Sequence, residues 1–183
     1  MSPENRAAVS PHHPLCVYAE PLVGDQRVVI LGDSSLRLGE QLLAEGARSV
    51  HIYDDDSLRA ERTSRNAARG ILVRPMPEGD FDVRDGAFDL AIIPNLASFA
   101  DPAGLLSRIR RLVARGGALL AAVSNSPNTK TIEYNEFYAL VALQFEQVTM
   151  IGQVPFKGVA IAHLGLGFGE EVSVDSQLVA ENQ

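Results

Sequence analysis

The stretch RVVILGDSSLRLGEQLLAEGARSVHIYDDD, residues 27–56, contains residue types that can bind a nucleotide. A short apolar run leads into Gly32, a segment with helical spacing follows, and a second apolar run ends in Asp54 and Asp55. A carboxylate at a strand end can accept two charge-assisted hydrogen bonds from vicinal ribose hydroxyls. Ligands of parallel sheets collect at the carboxyl ends of the strands. The stretch therefore has the outline of a nucleotide-binding strand–turn–helix–strand unit.

The elements that would position these residues follow from the hydrophobic pattern of the whole chain. Continuous apolar runs are typical of buried strands, and apolar residues at helical spacing are typical of helices. The pattern predicts strands at 28–31, 49–53, 71–73, 88–93, 118–123, 147–153 and 159–164, and helices at 35–45, 56–69, 101–114 and 131–144. Residues 15–22 form a short apolar segment that could cap the sheet.

The order of these elements defines a fold class. Strands that alternate with helices indicate βαβ units and a mostly parallel sheet. The last two predicted strands are only a few residues apart, and a parallel pair would need a long crossover, so they form an antiparallel hairpin. We therefore predict an α/β fold, a three-layer sandwich whose mostly parallel seven-stranded sheet ends in a C-terminal antiparallel hairpin.

Composition limits the classes of partner that the chain can take. Its 183 residues, 46% apolar and 21% charged, fit one globular domain with a single sizeable core. A net charge of −7 opposes binding to nucleic acid or to an anionic membrane surface. No apolar stretch approaches 18 residues, so no membrane insertion is expected. The single cysteine, Cys16, cannot form an internal disulfide, which favours a cytoplasmic protein.

Three regions are expected along the chain. Residues 1–14 are polar and proline-containing, and we predict a flexible N-terminal arm. The adjacent His12 and His13 in that arm lack a cysteine or carboxylate cluster nearby, so they indicate a surface loop rather than a metal site. Residues 15–168 form the α/β domain, and the acidic residues 169–183 form a tail or a linker.

Two segments in the second half of the chain resemble a known family. Residues 85–90, Asp-Gly-Ala-Phe-Asp-Leu, resemble the segment that enters the family's fourth strand. Residues 101–117, from Asp-Pro to Gly-Gly, resemble its next helix and the turn into strand five. Over residues 24–165 the chain thus resembles the class I S-adenosylmethionine (SAM)-dependent methyltransferases, whose closing hairpin it also shares. Arg115 stands where that family often has proline.

The resemblance implies a SAM pocket built from three turns. Gly32 matches the first glycine after strand one, and Asp54, with Asp55 beside it, matches the acid that binds the ribose hydroxyls. Asp80 is the nearest match to the residue that meets the adenine amine, with Phe81 available to lie on the ring. The cofactor-binding residues implied are Gly32, Asp33, Ser34, Asp54, Asp55, Asp80, Phe81 and Asn95, and no metal is implied.

Several positions depart from the family's pattern. Its next two glycines fall at Ser34 and Leu36, where side chains oppose the close backbone approach that glycine allows, and the leucine could fill the methionine portion of the pocket. Ile30 replaces the acid often found at the end of strand one. Asp33 could substitute for that acid, but it also places negative charge where the ligand carboxylate would approach.

The segment after strand four is where the family positions its methyl acceptors. Asn95 lies there and is the one candidate catalytic residue, since its amide can hydrogen-bond an amine or a carbonyl. The segment has no Asn-Pro-Pro-aromatic signature and no obvious general base.

Two functions remain open on these residues. In the first, the domain has a compromised SAM pocket and acts as a non-catalytic protein-interaction or assembly module, with a protein partner or a homo-oligomer as its complex. In the second, it is an active SAM-dependent methyltransferase that uses Gly32, Asp54 and Asp80 on a small-molecule or protein acceptor. The lost glycines and the missing acid favour the first.

Other constellations are weaker. A nicotinamide site would need a Gly-x-Gly-x-x-Gly turn, and only Gly32 and Gly39 are present, at a spacing that does not match. His51 and His163 lack carboxylate partners in sequence and are typical of core or edge histidines. Four arginines recur along the helix predicted at 56–69 and form a solvated face or a docking stripe for an acidic partner: Arg59, Arg62, Arg65 and Arg69.

Overall fold

A computed structural model describes residues 13–32, 36–124, 131–153 and 157–163. Its strands are β1 (Arg27–Leu31), β2 (Ser49–Asp54), β3 (Ile71–Pro75), β4 (Phe88–Ile93), β5 (Val113–Ser124), β6 (Gln147–Gln153) and β7 (Lys157–His163). Its α-helices are α1 (His13–Val23), α2 (Leu36–Ala44), α3 (Ser57–Ser64), α4 (Pro102–Leu112) and α5 (Tyr134–Ala142), and a short 3-10 helix spans Leu96–Ser98.

The described strands form one seven-stranded sheet in the order β3-β2-β1-β4-β5-β7-β6. Strands β1 to β5 pair in parallel, whereas β7 lies antiparallel between β5 and β6. The predicted α/β architecture, with its mostly parallel sheet and closing antiparallel hairpin, is therefore confirmed.

Two apolar cores cover the two faces of the sheet because successive strand residues point to opposite sides. In β1, Val28 and Ile30 pack with residues of α1 and α2, whereas Val29 and Leu31 pack with residues of α4 and α5. The central strands are buried on both faces, which explains their continuous apolar runs. The sheet and its two helical layers make the expected three-layer sandwich.

Some element boundaries differ from the prediction. The apolar segment 15–22 belongs to α1, which begins at His13, two residues inside the predicted flexible arm. Helix α3 ends at Ser64, well before residue 69, and Gly70 then adopts a φ of +100°. The rest of the predicted arm, residues 1–12, and the predicted acidic tail, residues 169–183, lie outside the described residues.

The largest difference is at the start of β5. The glycine pair 116–117 was expected to be a turn between α4 and a strand beginning at residue 118, but β5 already begins at Val113 and passes through the glycines. The register with β4 shifts between Phe88 and Leu90, and Gly116 takes a φ of +79°. A large bulge explains both observations: two steps along β4, from Phe88 to Leu90, match five steps along β5, from Val113 to Ala118. The three extra residues of β5 need a conformation that glycine adopts readily.

Strands β1 and β4 are joined by an ion pair at their amino-terminal ends. The Arg27 guanidinium donates to both carboxylate oxygens of Asp89, at 2.8 and 2.6 Å, and the Arg27 backbone N–H donates to the same carboxylate at 2.9 Å. About three quarters of each side chain is shielded from solvent. The hydrogen bonds from Arg27 hold the pKa of Asp89 below its ordinary value.

This ion pair predicts a pH-dependent stability. Because the folded-state pKa of Asp89 is depressed, its contribution is full above the unfolded-state pKa of about 3.9 and is lost as the pH falls through the folded-state value. We expect Asp89→Asn to lower the free energy of unfolding by about 1 to 2 kcal/mol at pH 7 and to flatten its decline in acid. Urea unfolding at neutral and acidic pH measures both effects, with Asp82→Asn, at an exposed carboxylate, as the control. An unchanged acid limb in Asp89→Asn would contradict the assignment.

Candidate functional site

The residues predicted to form the cofactor pocket come from the carboxyl ends of four parallel strands. Gly32 follows β1, Asp54 ends β2, Asp80 lies in the loop after β3, and Asn95 follows β4. Parallel strands bring such ends to one edge of the sheet, where open α/β folds bind ligands. Asp33 and Ser34, the other two residues of the predicted turn, lie outside the described residues.

Asp54 has no solvent-exposed surface and is engaged by a guanidinium of its own chain. Arg59 Nε donates to Oδ2 at 2.8 Å, and Arg59 Nη2 donates to Oδ1 at 2.6 Å. The backbone N–H of Asp56 also donates to Oδ1, at 2.9 Å. The interaction with the buried carboxylate raises the pKa of Arg59. The acid that the resemblance assigns to the ribose hydroxyls is thus part of a bidentate ion pair.

The start of α3 places Arg59 over this carboxylate. Asp56 caps the helix, since its side chain accepts the backbone N–H of Arg59 at 3.0 Å. Arg59 is therefore in the first helical turn, whose side chains lie close to the preceding strand end. Asp55 joins the same guanidinium at 2.7 Å, although its carboxylate is 60% exposed.

This ion pair was not predicted, because the spacing of four arginines along the helix places Arg59 on a solvated face or a docking stripe for an acidic partner. The sequence feature that could have predicted the ion pair is the spacing of its two residues: Arg59 follows the strand-end Asp54 by five residues, just after the residue that caps the helix. The remaining members of the stripe, Arg62, Arg65 and Arg69, are exposed as expected.

Gly32 keeps the conformation that a cofactor turn requires, but the ring of Phe99 lies against it. Its φ is +80°, in the left-handed region that favours glycine. A methyl group at this position would lie 2.5 Å from Cζ of Phe99. The aromatic ring therefore occupies the space next to the glycine, where a ligand would need to approach the backbone.

Leu36 stands where the family has another glycine. Its side chain packs, partly buried, against the core that α1 and α2 share, on the far side of β1 from α4. The structure thus accounts for Leu36 as a packing residue, and the suggestion that it fills the methionine portion of the pocket stays a prediction.

Asp80 and Phe81 lie in a loop that is held against α4. Asp80 is largely exposed, and its carboxylate accepts Arg111 Nη1 at 3.1 Å. Phe81 is 7% exposed, packs edge-on against Tyr53 with ring centroids 4.9 Å apart, and lies under the Arg108 guanidinium at 5.3 Å. The Phe81 ring therefore packs in the core, and the Arg108 guanidinium lies over it.

The Arg108 side chain also binds the backbone of this loop. Its guanidinium donates to the carbonyl oxygens of Pro77, at 3.2 Å, and Gly79, at 2.6 Å. A cavity of about 550 Å³ lies between this loop and the start of α4, and Phe99 contributes to its lining. Neither Gly32 nor Asp54 reaches that cavity.

Asn95 precedes the short 3-10 helix and carries a buried polar atom. Its Oδ1 has no hydrogen-bond partner within the part of the chain that the structure describes. Its backbone carbonyl accepts the Ser98 hydroxyl at 2.7 Å, which stabilises the turn. A buried amide oxygen of this kind favours a donor group as its neighbour, because an unsatisfied acceptor costs free energy.

His51 resembles a core residue. It is half-buried in β2, its ring lies 5.0 Å from that of Phe88, and burial together with Arg74 lowers its pKa. The side chain of His163 lies outside the described part. Over the described ranges, no three histidine, cysteine or acidic side chains come together as a metal site.

Comparison with known proteins identifies the fold. No protein-family model matches the sequence, and no curated protein matches it. A SAM-dependent methyltransferase from Mesorhizobium loti superposes with a TM-score of 0.69 at 12% identity, over 85% of this chain and 98% of that one. The complex between the Haloferax volcanii Trm112 methyltransferase activator and a methyltransferase contains a chain with a TM-score of 0.70 at 12% identity, over 85% and 90% of the two chains.

A third similar structure contains a ligand. The Burkholderia thailandensis 1,6-didemethyltoxoflavin-N1-methyltransferase, with its substrate and S-adenosylhomocysteine bound, has a TM-score of 0.67 at 16% identity, over 86% of this chain and 79% of that one. The chain therefore has the class I methyltransferase fold. At these identities the similarity establishes the fold alone, and any chemistry has to be inferred from the residues of this chain.

Three of the residues implied to bind SAM already have contacts within the chain. Asp54 has no exposed surface, the Phe99 ring lies against Gly32, and the Phe81 ring is buried against Tyr53.

No helix in the described ranges is both long and apolar enough to span a bilayer.

Proposed function

We propose that this domain is a non-catalytic member of the class I methyltransferase fold that acts in the cytoplasm as a protein-interaction and assembly module. The observation that carries the proposal is the bidentate ion pair between Arg59 and the fully buried Asp54. A ribose could reach this carboxylate only by displacing the guanidinium.

The energetic balance supports the proposal. Each hydrogen bond to a charged group contributes about 1.5 to 3 kcal/mol, so a ligand that replaces both Arg59 contacts gains little over what it breaks. Binding must also move the Phe99 ring from Gly32.

A protein-binding role is supported by the surface and by one similar structure. Among the described residues, four large hydrophobic side chains expose more than half of their surface: Leu58, Tyr134, Leu143 and Val17. The Haloferax volcanii complex pairs the same fold with an activator protein. We infer that contacts of this kind, rather than catalysis, are what the domain provides.

The test is calorimetric titration of the purified chain with S-adenosylhomocysteine. We expect no heat and no thermal shift at millimolar ligand, both for the natural chain and for Asp54→Ala. The Burkholderia thailandensis enzyme, measured under the same conditions, is the positive control. Micromolar binding that Asp54→Ala abolishes would overturn the proposal.

Two observations support the alternative, an active SAM-dependent methyltransferase. The Arg59 side chain is 50% exposed, so it can swing away from the carboxylate into solvent. Asn95 Oδ1 is buried and has no partner among the described residues, as expected of a residue that awaits a methyl acceptor. A positive titration would favour this alternative and direct the search toward the acceptor.

A further inference from the structure

The two edges of the sheet are protected to different degrees. At one edge, β3 has the sequence ILVRP and carries Arg74 and Pro75, residues that discourage pairing with another strand. At the other edge, β6 has the sequence QVTMIGQ and contains neither a charged residue nor a proline. No strand in the described ranges pairs with the outer side of β6. A seven-residue neutral edge strand is a template for strand addition.

Helix α5 extends this edge with an apolar flank. Phe137 and Val141 are buried against the sheet, and the helix packs on β6 and β7. Tyr134 and Tyr138 are 62% and 47% exposed, and Ala142 follows them at the same helical spacing. These three residues and the outer edge of β6 are called the β6–α5 surface below.

The direction of that flank follows from the topology. Strands β5 and β6 are both antiparallel to β7, so α5 connects two parallel strands, and such crossovers are right-handed. With Phe137 on the sheet, the right-handed turn of α5 directs Tyr138 toward the free edge of β6 and Leu140 toward α4. The half-buried Leu140, which packs against the core shared with α4, agrees with this orientation.

We propose that the β6–α5 surface binds a second copy of this chain through antiparallel pairing of the two β6 strands. A two-fold axis at Met150 places Val148 opposite Gly152 and Thr149 opposite Ile151. Apolar positions continue across the axis, and no like charges face each other, which would destabilise a strand pair. The inference rests on the assembly role proposed above and specifies its partner.

Charge favours a second copy, rather than the chain's own C-terminal segment, as the strand that pairs with the outer edge of β6. That segment is acidic, with Glu170, Glu171, Asp175 and Glu181. The ends of the β6–α5 surface are also acidic, because exposed Glu133 and Glu146 precede α5 and β6. An acidic segment laid along β6 would place its carboxylates beside these glutamates, whereas the seven residues of a second β6 carry no charge.

The test is the mass of the full chain in solution, measured by sedimentation equilibrium over a wide range of concentration. We expect twice the monomer mass of 19.7 kDa at high concentration. Thr149→Lys, at an exposed edge position, should raise the dimer dissociation constant at least about tenfold, because each introduced lysine lies opposite Ile151 of the other copy and the two lysines are diagonal neighbours across the axis, on one face of the strand pair. Tyr138→Lys should do the same from the helix, and Leu72→Lys, on the opposite edge strand, should change nothing.

Two results would overturn the proposal. One is a dimer whose dissociation constant neither Thr149→Lys nor Tyr138→Lys changes. The other is a full chain that stays monomeric at every concentration, and dimerisation of a variant ending at residue 168 would then assign the edge to the C-terminal segment. Circular dichroism of each variant confirms folding. Ligand titration and mass report on different surfaces, so a failure here is distinguishable from a failure of the proposed function.

Discussion

Asp54→Ala is expected to lower the free energy of unfolding by about 2 to 4 kcal/mol. We expect neither this variant nor the natural chain to bind S-adenosylhomocysteine. The substitution leaves a cavity at a fully buried site and removes the acceptor for Arg59 and for the Asp56 backbone N–H. In a working cofactor pocket the same change would abolish binding at a small cost in stability. Denaturant unfolding and calorimetry of one variant therefore separate a structural role of Asp54 from a binding role.

Its matched control is Asp55→Ala, which removes a neighbouring carboxylate that pairs with the same guanidinium but is 60% exposed. Exposed ion pairs contribute about 0.2 to 1 kcal/mol, so the control should unfold almost as the natural chain does. A double-mutant cycle with Arg59→Ala should give a coupling energy of about 1 to 3 kcal/mol between Arg59 and Asp54. A coupling energy near zero would show that Arg59 and Asp54 do not form this ion pair when the protein is in solution.

Gly117→Ala is the second substitution expected to have a large effect, with a loss of about 3 kcal/mol in the free energy of unfolding. A methyl group there would lie 2.6 Å from the carbonyl oxygen of Asp89, 2.7 Å from Cγ1 of Val113 and 3.0 Å from the carbonyl oxygen of Ala114. Two of these atoms are backbone atoms of paired strands, so the clash cannot be relieved by a rotamer change. The bulge between β4 and β5 must distort instead.

The control for Gly117 is Gly24→Ala, because no atom lies within 4 Å of the methyl group that the substitution would add. We expect urea unfolding to show a strongly reduced free energy of unfolding for Gly117→Ala. The free energy of unfolding of Gly24→Ala should stay within about 0.5 kcal/mol of that of the natural chain. Equal stabilities for the two variants would mean that β5 does not pass through the bulge as the structure has it.

Most of the fold could be predicted from the sequence because it depends on local patterns. The apolar runs of β1, β2 and β4 and the Asp-Pro start of α4 specify their elements within a few residues, and the short connection before β7 requires a hairpin. The exceptions were segments whose state depends on distant partners. Residues 15–22 form a helix because the core beside β1 buries Leu15, Ala19 and Val23, and a glycine pair became a bulge because Val113 pairs with Phe88.

The candidate site divides in the same way. The sequence by itself determined that Gly32, Asp54 and Asn95 follow or end parallel strands and so meet at one edge of the sheet, because strand order and direction place them there. Only the tertiary structure decided what those residues contact. Arg59 reaches Asp54, and Phe99 lies against Gly32, through side-chain directions that no spacing rule contains. A buried carboxylate takes whichever cation the packed chain brings within hydrogen-bonding distance, and here that cation is the chain's own.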